Sequence, residues 1–236
     1  MKKFQKLKEE VYRYNLQLPK NNLAIYTFGN VSGVDREQGV FAIKPSGVPY
    51  EELTPDKIVI VDLDGNLIEG NYNPSSDTKT HAVLYKHFPK IGGVVHTHSI
   101  YATSWAQGKK PIPVLGTTHA DHLPVSVPCT ELISDKLINS NYEESTGFQI
   151  LKKFKHLSYE EVEMVLVASH GPFTWGKNPK QAVYNATILE ELAKMAILSL
   201  VINPHLQMMN KSLINKHYFR KHGKNAYYGQ KIKTNK

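Results

Sequence analysis

The sequence predicts an α/β sandwich in which helices cover a largely antiparallel sheet. Three observations lead to this prediction. Short apolar, β-branched segments follow one another without a helix between each pair, one pair is joined by a hairpin signal, and strong helical patterns stand at both ends and in the middle of the chain. The regular strand-helix-strand alternation of a parallel sheet is not found, and neither is an internal repeat.

Length and composition favour one globular domain over residues 1–236. The chain is 41% hydrophobic and 21% charged, and no linker rich in Pro, Gly and Ser divides it. No apolar run approaches the roughly 18 residues of a membrane span, and the amphipathic start is unlike a secretory signal. We therefore expect a cytoplasmic protein without a membrane partner. Cys129 is the single cysteine, so any metal must have nitrogen and oxygen ligands.

The first half of the chain contains one helical pattern and then several strand patterns. Apolar residues at helical spacing predict a helix over residues 3–17, which ends before Pro19. The pair Asp64-Gly65 predicts a hairpin turn between segments 58–63 and 67–68. Apolar and β-branched runs predict strands at Ile25–Phe28, Val40–Ile43 and Lys57–Val61.

Two helices in the rest of the chain are predicted by residues that are typical of helix N-termini. Pro74–Asp77 places hydroxyls and a carboxylate where a helix should begin, and Asn178 before Pro179 starts a long buried stripe that ends near Asn203. Between these helices, Ile91–His98 and Met164–Ala168 are predicted strands.

Three histidines lie at the ends of predicted strands. His96 and His98 lie two apart, so on a strand their side chains would share a face at roughly 6–7 Å, which suits two imidazoles on one ion. His170 follows the next predicted strand, and Asp77 heads the preceding helix. Three histidines with an optional carboxylate form the ligand set of a catalytic zinc or similar ion. The alternatives are structural histidines and an Asp77 that only interacts with the helix dipole.

Three short segments of small residues can offer backbone N–H groups and hydroxyls to an anion. By itself, each segment is better explained by plain turn chemistry. No dinucleotide fingerprint or P-loop is present, so a nucleotide cofactor is not supported. The segments are Gly29–Ser32, Lys44–Gly47 and Ser75–Ser76.

The positive charge is concentrated at the C-terminal end, within residues 204–236. The net charge is +8, yet all 21 acidic residues lie at or before Glu191, whereas nine of the 29 basic residues follow it. A nucleic-acid-binding tail and a solvated lysine-rich end would both explain this. No aromatic stacking pattern accompanies the charge, so we expect no nucleic-acid partner.

Taken together, the motifs resemble those of the class II aldolase and epimerase family, in the same order and from Asn15 to Gln230. The closing residues, 216–223 and 226–230, resemble the epimerases rather than the aldolases. The resemblance implies a three-layer α/β/α sandwich around a largely antiparallel central sheet. The motifs are Asn30-Val-Ser, Lys-Pro-Ser-Gly47, Ser-Ser-Asp77, His-Thr-His98, Gly-Thr-Thr-His-Ala-Asp121 and Ser-His-Gly-Pro-Phe173.

The resemblance also implies roles for individual residues. His96, His98 and His170 would bind the metal, usually zinc with Mn²⁺ or Co²⁺ as alternatives, and Asp77 would be a possible fourth ligand. Related aldolases carry a longer glutamate at the position of Asp77, where it acts as a base. Asp121 and Tyr228 match the proton carriers of the epimerases. The phosphate pocket would consist of Gly29, Asn30, Lys44, Ser46, Gly47, Ser75 and Ser76, and Thr117, Glu143 and His217 would line the same site.

The implied activity is epimerisation at C4 of a ketopentose phosphate by cleavage and re-formation of the C3–C4 bond, in pentose, arabinose or ascorbate-type catabolism. The implied assembly is a fourfold-symmetric homotetramer in which the segment 204–236, with Tyr228, contributes to a neighbouring subunit's site. The alternatives are a sugar-phosphate aldolase of the same fold and a non-catalytic binding module.

Overall fold

The computed structural model describes residues 3–223 and 226–229. In this part of the chain seven strands form a single sheet in the order β4-β3-β2-β1-β5-β7-β6, and every neighbouring pair is antiparallel. The strands are β1 Asn30–Asp35, β2 Val40–Ile43, β3 Val59–Asp62, β4 Leu67–Glu69, β5 Gly93–His96, β6 Met164–Val167 and β7 Gly171–Gly176.

Helices fill the connections and both ends. The α-helices are α1 Gln5–Asn15, α2 Gln17–Lys20, α3 Thr78–His87, α4 Ile100–Gln107, α5 Thr117–Ala120, α6 Asp135–Lys153, α7 Pro179–Ile202 and α8 Lys211–Lys221. Short 3-10 turns occupy Tyr50–Glu52, Pro55–Lys57 and Phe154–His156. None of the helices within the described residues is long and apolar enough to cross a membrane.

The sheet has an apolar core on each face. Along β2, Phe41 and Ile43 belong to a core that also contains buried residues of α3, α4 and α6. Val40 and Ala42 point the other way, into a core shared with α1 and the first part of α7. This alternation is the two-residue period of a strand, and it produces the three layers. The predicted α/β/α sandwich around a largely antiparallel sheet is therefore confirmed.

Most predicted elements are present, and one is wrong. The opening helix, the strand Val40–Ile43, the hairpin at Asp64-Gly65 and the long helix after Asn178 are confirmed; the Asn178 side chain accepts a hydrogen bond from the Gln181 N–H. Ile25–Phe28 is not a strand. Tyr26 has a φ of 52° and is 77% exposed, so this segment turns on the surface instead of joining the sheet.

The true strand begins just after that turn. β1 starts at Asn30, within a segment in which the sequence indicated only a turn or an anion-binding loop. β7 and the helices α4, α6 and α8 were not predicted either. The basic residues after Gly229, including Lys231, Lys233 and Lys236, lie outside the described part of the chain.

Candidate active site

The structure brings the three predicted histidines together. The ligating nitrogen atoms of His96, His98 and His170 all lie within 4.8 Å of one another, and Nε2 of His96 is 3.0 Å from Nε2 of His98. Two nitrogen ligands on one tetrahedral zinc at about 2.05 Å each would be about 3.3 Å apart. The donor set therefore fits a divalent metal ion.

Each histidine lies at or near the end of a strand. His96 is the last residue of β5, and His98 follows it, so the predicted strand Ile91–His98 is shorter than expected. His170 occupies the tight turn between β6 and β7, next to Ser169 with a φ of 62°. β5 and β7 are neighbours, and Phe173 of β7 stacks on the His96 ring at 4.2 Å between centroids. The sheet thus joins histidines that are 74 residues apart in sequence, between His96 and His170.

Protonation of the rings suits metal binding. The His96 Nδ1–H donates to the Pro172 carbonyl at 2.9 Å, because a carbonyl can only accept, and this leaves a lone pair on Nε2. Burial lowers the pKa of His98, and burial followed by the charge of His96 lowers the pKa of His170 to about 3. His98 and His170 are therefore neutral at physiological pH and able to bind a cation.

The histidines line a cleft with a volume of about 380 Å³, which is also lined by all the residues of the predicted phosphate pocket. Gly29 enters it with a φ of 75° where a Cβ would be 2.9 Å from the His96 carbonyl oxygen, so this position requires glycine. The other cleft residues from that prediction are Asn30, Lys44, Ser46, Gly47, Ser75 and Ser76.

Lys44 supplies the positive charge of this cleft. Its side chain is only 1% exposed, and its Nζ donates to the carbonyl oxygens of Thr27 at 3.3 Å and Pro45 at 3.5 Å. Burial lowers the pKa of Lys44 to about 8. Both hydrogen-bond partners are neutral, so an anionic group in the cleft would compensate the buried charge.

Asp77 lines the same cleft and is held by hydrogen bonds. Its Oδ2 accepts from Asn30 Nδ2 at 2.7 Å, and the same amide reaches Ser75 Oγ at 3.0 Å. Burial raises the pKa of Asp77, but the charges of His96 and His81 and the Asn30 hydrogen bond outweigh burial and lower it. The carboxylate is ionised beside the histidines, although it lies outside the compact group of three nitrogen atoms. Its role as a fourth ligand stays a prediction.

Asp121 and His217 belong to a second cluster that does not line this cleft. Asp121 accepts from Arg220 at 2.9 and 2.6 Å and from His217 Nδ1 at 3.0 Å, and Lys221 lies 3.3 Å away. Burial raises the pKa of Asp121, but the Arg220, His217 and Lys221 hydrogen bonds outweigh it and lower the pKa to about 2. Asp121 is therefore a carboxylate tied to α8.

Tyr228 belongs to the same cluster. Its ring lies under the Arg220 guanidinium at 5.1 Å and the Lys221 ammonium at 4.4 Å, and it lines a separate cleft with Asp121. Thr117, at the start of α5, and Glu143, on α6, line neither cleft. Within one chain the predicted site is thus divided into a histidine cleft and an Asp121 cluster.

Three polar residues at these clusters were not identified from the sequence. Tyr142 places its hydroxyl 3.2 Å from His170 Nδ1, and Arg220 pairs with Asp121. His81 is fully buried next to Asp77, with Nδ1 bonded to Ser32 Oγ at 2.7 Å and no partner for Nε2 among the described residues. Arg220 could have been noticed as part of the basic C-terminal segment, whereas the other two contacts depend on packing between distant elements.

Comparisons with known proteins agree with this geometry. Residues 9–197 match the family model described as the class II aldolase and adducin N-terminal domain. The chain is 50% identical over 227 residues to L-ribulose-5-phosphate 4-epimerase UlaF of Salmonella paratyphi C (strain RKS4594), covering 96% of this chain and 100% of that protein. The protein of the same name from Salmonella typhi is 49% identical with the same coverage.

Solved structures of aldolases share the fold. An L-fuculose 1-phosphate aldolase superposes with a TM-score of 0.75 at 25% identity, over 90% of this chain and 94% of that one. The L-fuculose 1-phosphate aldolase from Glaciozyma antarctica PI12 gives a TM-score of 0.75 at 15% identity, over 94% of this chain and 84% of that one, which shows a common fold alone.

Proposed function

The chain belongs to the class II aldolase and adducin family, and from that premise we propose that it is an L-ribulose-5-phosphate 4-epimerase. It would interconvert L-ribulose 5-phosphate and D-xylulose 5-phosphate. The single observation that carries the proposal is 50% identity along the full length of proteins with that name. The three-histidine cluster beside a buried lysine supports it, because a non-catalytic binding module would have no need of either.

His96, His98 and His170 would hold a divalent cation, and zinc suits a set of three imidazoles. Asp77 would add a fourth ligand or balance the charge. A bound cation would supply Lewis-acid stabilisation of the negative charge that develops on the substrate's carbonyl and neighbouring oxygen atoms. The chain's own contribution is to orient the rings, which the Pro172 carbonyl does for His96 by accepting from Nδ1.

The reaction itself needs a cleavage, because the hydrogen on C4 is not acidic. A base removes the proton of the C4 hydroxyl, the C3–C4 bond breaks, and its electron pair moves into an enediolate of dihydroxyacetone. Glycolaldehyde phosphate is the other fragment. It rotates, its opposite face is attacked, the bond re-forms, and a proton returns to the new C4 alkoxide. The two faces require proton carriers on opposite sides, for which we propose Asp121 and Tyr228.

We expect the substrate's phosphate to bind beside Lys44. Ser46, Gly47, Ser75 and Ser76 line the same cleft as Lys44, together with Gly29 and Asn30, and the ammonium of Lys44 supplies the charge. Holding the phosphate also retains the aldehyde fragment while it rotates, since its escape would turn the epimerase into an aldolase.

We propose further that a complete site forms between two copies of the chain. One cluster contains Asp121, Tyr228 and His217, and it does not line the histidine cleft of its own chain. A neighbouring chain would therefore bring its proton carriers to this histidine cleft. Thr117 and Glu143 would complete the site in the same assembly. Contacts of this head-to-tail kind close into rings, in keeping with a homotetramer to which the segment 204–236 contributes.

The activity is tested by incubating zinc-loaded protein with L-ribulose 5-phosphate and following D-xylulose 5-phosphate. Formation of that product is expected. Accumulation of dihydroxyacetone and glycolaldehyde phosphate instead would identify an aldolase, and no turnover with any divalent metal would reject the proposal.

The shared site is tested with two inactive variants. His98→Ala removes a proposed ligand and Tyr228→Phe a proposed proton carrier, so each homo-oligomer should be inactive. In a ring, each site would take its histidines from one chain and its proton carriers from the next. At equal expression each of these two parts is intact in half of the sites, so co-expression should restore about a quarter of wild-type activity. A mixture that stays inactive would mean that each site belongs to one chain.

A further inference from the structure

Tyr142 contacts the third histidine from outside the substrate cleft. Its hydroxyl oxygen lies 3.2 Å from His170 Nδ1, and the two rings are 5.9 Å apart between centroids at an angle of 35°. Tyr142 does not line the cleft that contains the histidines. A bound sugar phosphate in that cleft would therefore leave this contact in place.

The contact corresponds to the one that fixes His96. There the Pro172 carbonyl accepts from Nδ1 and leaves Nε2 free to bind a cation. A phenol oxygen can likewise accept from His170 Nδ1, which places the lone pair of His170 on Nε2. A tyrosine hydroxyl in this accepting role orients the ring without adding a charge to the site.

The position of Tyr142 is set by the packing of α6 against α3. α6 is kinked at Asn141, where φ is −145° and ψ is 78°, directly before Tyr142. The Thr80 hydroxyl of α3 donates to the Glu143 carbonyl at 2.5 Å, which attaches the kinked turn to α3. One turn later Gly147 lies so close to α3 that a Cβ there would be 2.7 Å from the Cβ of Val83.

These contacts link both sides of the metal site. α3 begins directly after Asp77, and α6, which carries Tyr142, packs along α3. The helix that begins beside the Asp77 carboxylate therefore also holds Tyr142 against His170. We propose that Tyr142 is a positioning residue of the metal site, whose hydroxyl fixes the orientation and tautomer of His170. The inference rests on the metal site of the proposed function.

The test compares Tyr142→Phe with wild type in direct Zn²⁺ binding, measured by competition with a chromophoric chelator. Removing only the hydroxyl should weaken Zn²⁺ binding about 10- to 100-fold, as for other groups that orient a ligating histidine. The visible spectrum of the Co²⁺-substituted protein should change as well, and raising the Zn²⁺ concentration should restore much of the lost turnover.

Tyr159→Phe is the matched control. It makes the same chemical change at a ring that stacks on Phe88 at 4.3 Å, and it should leave Zn²⁺ affinity and the Co²⁺ spectrum unchanged. If Tyr142→Phe matches wild type in affinity and spectrum, or lowers only the thermal midpoint, the positioning role is overturned. If wild type itself binds no Zn²⁺ at a one-to-one ratio, the metal site of the proposed function fails instead.

Discussion

Replacing Lys44 by methionine should stabilise the folded protein while it removes the charge of the proposed anion site. Lys44 is 1% exposed, its hydrogen-bond partners among the described residues are the carbonyl oxygens of Thr27 and Pro45, and burial lowers its pKa from 10.5 to about 8. Folding therefore places a charge where it is disfavoured. A methionine of similar length fills the same space without that charge.

The magnitude follows from the shift in the pKa of Lys44. A difference of about 2.5 pKa units is about 3 kcal/mol, which is an upper limit because two hydrogen bonds are lost with the ammonium. Below pH 8 the lysine is charged in the folded and unfolded states, so the full penalty applies. As pH rises from about 8 to 10.5 the folded protein gives up the proton first, and the penalty disappears. The advantage of Lys44→Met should thus be about 1–3 kcal/mol at pH 7 and should vanish near pH 10.5.

The assay is thermal unfolding at one protein concentration between pH 7 and 10, with and without inorganic phosphate. A gain of 1 kcal/mol corresponds to roughly 2–4 °C for a chain of this size. Phosphate should raise the midpoint of wild type but not of Lys44→Met. Lys8→Met is the control: Lys8 is equally buried but pairs with Glu69 at 2.6 Å, so its loss should not stabilise.

Two results would refute this reasoning. A Lys44→Met protein no more stable than wild type at pH 7 would mean that the charge is not disfavoured by burial. Equal stabilisation of both proteins by phosphate would mean that the anion binds elsewhere.

Three further changes test the site and its support. His98→Ala should lower bound zinc and turnover together, and full zinc content with full turnover would exclude it as a ligand. Arg220→Gln should raise the pKa of Asp121 from about 2 toward 3.8 and lower the unfolding free energy at pH 7; urea unfolding should show this difference shrinking from pH 4 to 2. Gly147→Ala should destabilise by about 1–3 kcal/mol in thermal unfolding, because its Cβ would meet Val83 at 2.7 Å.

The sequence predicted the parts of the site that follow from local chemistry. His96 and His98 are close in sequence, and Lys44–Gly47 and Ser75–Asp77 are short segments with visible turn and helix-start signals. The order of motifs then pointed to the right fold. Each of these features depends on residues within a few positions of one another, which is the range that spacing and propensity describe.

What the sequence did not predict depends on partners far along the chain. β1 contains Asn30, Ser32, Gly33 and Asp35 among its six residues, so its composition resembles a loop, yet it pairs with β2 and β5 near the centre of the sheet. The polar side chains of β1 are explained by their hydrogen-bond partners on other elements, such as Asp77 for Asn30 and His81 for Ser32. A strand that serves the site departs from the apolar alternation by which strands are recognised.

The division of the candidate residues also limits how the site could be completed. Asp121 is bound by Arg220, His217 and Lys221, so swinging α8 toward the histidine cleft of the same chain would leave a buried carboxylate without its cations. A second copy could approach that cleft with the cluster intact and would break none of these contacts. The ion pairs within one chain therefore favour the proposal that a second chain completes the site.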